Sequence, residues 1–241
     1  MIDFNEKGSH MKHELTMAEI AKFQKDYEAQ PQNRVAELAV VNNGVQKASF
    51  NNEGIRKLNR TFSIEIPTDN VTDQKQSGRC WMFSALNTMR HPLQKKFKLK
   101  DFELSQNYTN FWDKFEKSNW FFENVIATAD KPLGDRKVSF LFATPQQDGG
   151  QWDMLCGIIE KYGIVPKSVY PETANSNNSS ALNDTLNTLL RKDGLELRKL
   201  VNDGKSEDEV QARKEEMLND VFRVLSISLG VPPTKFNFEY R

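Results

Sequence analysis

The sequence predicts an α+β chain that is mostly helical, and two observations carry this. Four stretches repeat apolar residues at helical spacing: Met82, Leu86 and Met89; Tyr108, Phe111, Trp112 and Phe115; Leu182, Leu186, Leu189 and Leu190; and Met217, Val221, Val224 and Leu225. Two short stretches alternate instead, residues 61–66 (TFSIEI) and 235–241 (KFNFEYR), and these read as strands. At 241 residues the chain is one large domain or two small ones, and 16 Phe and 4 Trp within a 38% hydrophobic composition supply a core.

Taken in order, residues 1–11 end in Gly8-Ser9-His10-Met11 and read as an expression leader, so His10 carries no functional weight. Thr16 caps a helix whose stripe is Ile20, Phe23 and Tyr27, with Pro31 as its stop. A second helix over 34–42 turns Val35, Leu38 and Val41 or Ala39 inward and stops at Gly44. A helix begins at Cys80, with Pro92 marking its end. Four lysines within 95–100 read as a solvated surface. Ser105 caps the aromatic stripe of Tyr108 to Phe115. Such a stripe could stack nucleobases, but at helical spacing it reads as core. A separate helix follows from Trp120, closed by Pro132 and Gly134.

Asp148-Gly149-Gly150-Gln151 then leads into a helix with Trp152, Leu155, Cys156 and Ile159 on one face and Gly163 as its cap, Cys156 reading as core. The patch NSNNSS at 175–180 reads as a loop. Two more helices, 182–190 and 217–228, precede Gly230, Pro232 and Pro233.

Lys plus Arg and Asp plus Glu both number 33, which argues against a nucleic-acid or anionic-membrane partner. No apolar run approaches the ~20 residues of a membrane span, and no secretory pattern opens the chain. Two cysteines far apart do not make a disulfide framework. The expectation is a soluble, cytoplasmic protein without cofactor or metal.

The chemistry concentrates in QKQSGRCWMFS, residues 74–84. A thiol in the first turn of a helix sits beside the positive end of the macrodipole, a setting that favours thiolate, and Arg79 adds positive charge next to it. By helix position alone, a buried core thiol and a nucleophile are both open. The run Ser77, Gly78, Arg79, Cys80, Trp81 resembles the active-site signature of papain-like cysteine peptidases, which the general form Cys-Gly-small-Cys-aromatic describes. The longer segment NVTDQKQSGRCWMFSALNTMRH resembles the bleomycin hydrolase and bacterial aminopeptidase C group more than secreted papain. Ser77 stands where secreted relatives have a disulfide cysteine, which fits a reducing compartment.

The resemblance implies a papain-like fold and an N-terminal portion of it only, with residues 12–66 an arm across the outside. Residues 67–241 would be the helical domain, with a helical insertion at about 174–230, incomplete before a β-rich half. It implies acyl transfer through a Cys80 thioester, with the Gln74 amide and the Cys80 N–H as oxyanion donors. Gly149, Gly150 and Trp81 would bind substrate, the glycines pairing with an extended peptide. It also implies peptide substrates, removal of N-terminal residues, and a homo-oligomer, a hexamer at full length.

Such chemistry needs a histidine to pair with the thiolate and an asparagine to orient it. Of three histidines, His10 and His13 lie at the start, and His91 is 11 residues along the Cys80 helix, about 16 Å at 1.5 Å per residue. None follows. The chain therefore reads as the N-terminal part of a cysteine aminopeptidase, inactive alone. The alternative is a non-catalytic assembly or peptide-binding subunit derived from one.

Overall fold

Residues 15–59, 61–66 and 70–239 are described by a computed structural model. The leader at 1–11, with His10 and also His13, and the terminal Tyr240 lie outside them. Two compact units divide the chain, Met1–Glu65 and Ile66–Arg241.

The first unit carries three helices. Thr16 accepts from the Glu19 N–H while the Glu19 carboxylate accepts from the Thr16 N–H, a capping box that starts α1, Met17–Glu28. Pro31 does more than stop α1. It opens α2, Pro31–Ala48, at a first-turn position where its missing N–H costs nothing. Gly44, expected to end α2, instead adopts φ 75° inside it, and helical turns resume to Ala48. Asn51 caps α3, Asn52–Lys57, through Gly54. No residue of α1, α2 or α3 is buried.

The second unit holds α4, Cys80–Phe97; α5, Gln106–Ala127; α6, Arg136–Ala143; α7, Trp152–Tyr162; α8, Ala174–Asn177; α9, Ser180–Asn202; and α10, Glu207–Leu229. Three boundaries differ from those expected. Pro92 lies inside α4, and the helix runs on until Lys98 turns left-handed at φ 54°. Leu93, just past the proline, packs on the Met82–Leu86 cluster, and that burial offsets the lost backbone bond. The stretches around Tyr108 and Trp120 form a single helix, α5, because no breaker separates them. The polar patch at 175–180 is not a loop: Thr173 caps the one-turn α8, and Ser180 begins α9.

Both expected strands are absent from the described residues. Residues 61–66 and 235–239 find no ladder partner, and only two isolated bridges occur, Gln76 with Asn178 and Leu104 with Pro166. An alternating sequence is a strand only when its backbone groups are paired. Phe238 does pack, with its ring 5.8 Å from Phe102.

The main core lies where α5, α9 and α10 meet, around Phe111, Phe122, Leu186, Leu190, Met217 and Val221. A smaller cluster, Met82, Ala85, Leu86, Leu104 and Leu155, seats α4 against α5 and α7. It fixes the height at which the N-terminus of α4 meets its surroundings.

Candidate active site

Cys80 is the first residue of α4 and is exposed, so its thiol is a surface group at a helix start and not a core filler. Arg79 occupies the N-cap, and no side chain caps the first turn. The first-turn N–H groups therefore point open beside the sulfur, the arrangement that favours an anion. Met82 and Leu86, on the opposite face, are fully buried and lock the rotation of the helix.

Arg79 does not lend its charge to the thiol, contrary to expectation. Its side chain is 1% exposed and turned inward. It makes a two-pronged pair with Glu172 at 2.8 and 3.2 Å and donates to the Ser176 carbonyl at 2.8 Å and to Ser77 Oγ at 2.9 Å. Its charge is neutralised there, and it anchors the loop to α8.

The loop before Cys80 is shaped by its own polar groups. Lys75 takes φ 53°, and the Ser77 hydroxyl donates to the Gln74 carbonyl at 2.7 Å. Gln76 donates to Asn177 O at 2.9 Å. Gln74 is half-buried, and its side-chain Oε1 is buried with no hydrogen-bond partner among the described residues. An amide whose oxygen is enclosed has its NH2 as the group left to donate, which suits an oxyanion donor.

Gly150 and Trp81 are fitted to one another. A Cβ on Gly150 would lie 2.5 Å from the Trp81 ring, so only glycine permits the approach. The Trp81 indole N–H donates to the Asp148 carbonyl at 2.8 Å, and its ring lies under the Lys117 ammonium at 5.5 Å. Gly149 has open space where a Cβ would be. Its carbonyl accepts from Lys117 at 2.7 Å, and so does that of Gln147 at 3.1 Å.

Behind these loops lies a polar cluster outside the sequence motifs. Lys114 of α5 is fully buried and pairs with Asp148 at 2.8 Å. The Asp148 carboxylate also accepts from the Gly78 N–H at 2.9 Å, from Asn183 Nδ2 at 3.0 Å and from the Ser179 hydroxyl. Burial alone pushes Asp148 upward, but the Lys114 ammonium and these donors outweigh it and hold the carboxyl well below the usual range. Burial pushes Lys114 below the ordinary lysine range, and the Asp148 carboxylate that faces it opposes that push. Asp113 shows the opposite balance: burial pushes its carboxyl up to about 6 although Lys117 lies 2.6 Å away. One signal could have found the cluster. Asn107, Asn110, Lys114 and Ser118 form a polar stripe at helical spacing on α5, and all four are buried.

His91 is exposed on α4 and stands apart from Cys80 along the same helix. Cys156, expected in the core, is half-buried. Among the described residues no helix is long and apolar enough to cross a membrane, and no group of three or more His, Cys, Asp or Glu could hold a metal ion.

The profile of the Peptidase C1-like family matches residues 14–241. Aminopeptidase C of Lactobacillus helveticus is 79% identical over 231 residues, covering 96% of this chain and 51% of its own length. Aminopeptidase C of Streptococcus thermophilus is 54% identical over 216 residues, covering 90% of this chain and 48% of its own. The crystal structure of PepW from Lactobacillus rhamnosis superposes with a TM-score of 0.90 at 58% identity, over 96% of this chain and 52% of that one. The chain thus spans about half the length of the curated relatives it matches.

Proposed function

Because this chain belongs to the Peptidase C1-like family, and so has a papain-like fold, we propose that it is the nucleophile-bearing part of a cysteine aminopeptidase that releases N-terminal residues from peptides. The observation that carries this is the exposed Cys80 at an uncapped helix start, with Gln74 and the Gly149–Gly150 turn arranged about the same loop.

The Cys80 thiolate attacks the scissile carbonyl, and the electron pair moves onto the carbonyl oxygen. The Gln74 amide and the Cys80 N–H stabilise that oxyanion. Its collapse expels the amine, which takes a proton from a general acid, and leaves a thioester for water to cleave. Substrate runs along Gly150, since Lys117 already occupies the Gly149 carbonyl, and Trp81 walls the turn. His91 is placed too far along α4 to serve as the acid. On this reading the histidine and its orienting asparagine are supplied from outside residues 1–241. Alone, the chain has little or no turnover. The whole enzyme acts on peptides, works in the cytoplasm and assembles as a homo-oligomer, a hexamer by resemblance.

The test uses the protein expressed from its full reading frame. An epoxysuccinyl inhibitor should label Cys80, and an aminoacyl-coumarin amide should turn over, with both lost in Cys80→Ala. Activity that survives Cys80→Ala would falsify the reading. A correctly folded wild type that neither labels nor turns over favours a non-catalytic peptide-binding subunit instead.

A further inference from the structure

Four parts of the second unit converge on one residue. Asp148 accepts from the Gly78 N–H, two residues before Cys80, at 2.9 Å. Its carbonyl accepts from Trp81, one residue after Cys80, at 2.8 Å. Its other carboxylate oxygen takes Lys114 of α5 at 2.8 Å and Asn183 of α9 at 3.0 Å, while Ser179 completes the shell. Asp148 is itself the residue before Gly149-Gly150. The fit is close as well as polar: a Cβ on Gly78 would lie 2.9 Å from the Asp148 Cβ, so glycine there lets the two loops touch.

We infer that Asp148 is a positioning residue, the tie that sets the nucleophile's loop and the substrate-binding glycines at a fixed spacing, with Lys114 and α9 holding the tie from behind. The inference rests on the proposed peptidase reading. Asp148 reaches no substrate atom itself. It brackets Cys80 on both sides, at Gly78 and at Trp81, so its loss displaces the attacking sulfur and the Gly150 edge relative to each other. Small displacements of this kind are costly, because attack needs reacting atoms within about 3–3.5 Å and aligned.

The ion pair and the tie can be separated in the full-length enzyme. Lys114→Met with Asp148→Asn removes both charges and keeps an acceptor for Gly78. Lys114→Met with Asp148→Val removes the acceptor too. Counting active molecules with an epoxysuccinyl titrant, the Asn variant should keep kcat/KM within about threefold of wild type. The Val variant should lose about tenfold or more, through lower kcat and higher KM together. A purely structural role would lower Tm equally in both and leave kcat and KM per titrated site unchanged.

Wild-type turnover with a Val variant within about twofold on both constants overturns the inference and leaves the peptidase reading intact. An inert wild type overturns the peptidase reading, and this inference with it. If the Val variant does not fold, amide exchange in the wild type decides. Gly78, in an exposed loop, should exchange about a hundredfold slower than an unprotected amide, and exchange at the unprotected rate sinks the tie.

Discussion

Where α5 meets α9 and α10, the buried groups are Phe111, Phe122, Leu186, Leu190, Val221 and Leu225. At the N-terminal end of α4 polar groups are buried as well, Arg79, Lys114 and Gln146, with Asp148 nearly enclosed. The two regions share one helix, α5, whose apolar side faces the core while Asn107, Asn110, Lys114 and Ser118 face the loops. Apolar burial is strong but without direction, so it fixes which faces meet and leaves the last fraction of an ångström free. Hydrogen bonds and ion pairs contribute less net stability once desolvation is counted, yet they have direction. The loop before Cys80 and the glycine turn need direction. The difference between the regions is therefore a division of labour: stability comes from α5, α9 and α10, and geometry at Cys80 from the Asp148 cluster.

Single substitutions sharpen that contrast, and the largest loss belongs to the polar region. Asp148→Ala, which strands the Lys114 ammonium in a fully buried place, should lower unfolding free energy by about 3–5 kcal/mol in urea titrations. Neutralising both partners should recover most of it, and a double variant as unstable as the single would show that the pair is not the cause.

Leu190→Ala, at a fully buried core position, should cost about 2–5 kcal/mol. It should leave kcat and KM of the folded full-length enzyme unchanged, and a change in kcat there would break the division.

The glycines come next. Gly150→Ala forces the Trp81 ring aside and should cost about 1–3 kcal/mol. Gly149→Ala meets nothing within 4 Å and should stay within about 0.5 kcal/mol. Gly150→Ala should also raise KM for peptides if substrate runs along it, and an unchanged KM there argues against that path.

The last effect is in pH. Asp113, raised to about 6, holds more protons folded than unfolded between its ordinary range near 4 and 6. Its contribution therefore makes stability fall as pH rises through that window, by roughly 1–3 kcal/mol. Asp148, shifted the other way, gives stability that is present above the ordinary carboxylate range and lost as pH falls below it. Comparing wild type with Asp113→Asn from pH 4 to 6.5 isolates the first, and a flat difference would show that burial does not dominate at Asp113.

Much of this was legible in the sequence, because it depends on neighbours in the chain. Thr16 and Ser105 start helices through bonds three residues away, and Gly163 and Gly230 end them by their positive φ. The α9 stripe of Leu182, Leu186 and Leu190 is buried as its period required. Cys80 at a helix start was readable for the same reason, whereas the roles expected of Gln74 and of the downstream glycine pair came from the family resemblance.

Other features belong to tertiary structure alone. Whether Pro92 ends α4 depended on what Leu93 could bury, and whether 61–66 and 235–239 form strands depended on a backbone partner elsewhere. Arg79 is adjacent to Cys80 in sequence, yet Glu172, 93 residues away, takes its charge. The tie through Asp148 joins positions 78, 81, 114, 179 and 183, which no local period relates. The sequence by itself determined most helices and their caps, and Cys80 at a helix start, since those rest on bonds spanning three or four residues. The spacing around that cysteine was decided only when distant polar groups were brought out of water together, where each had to find a partner.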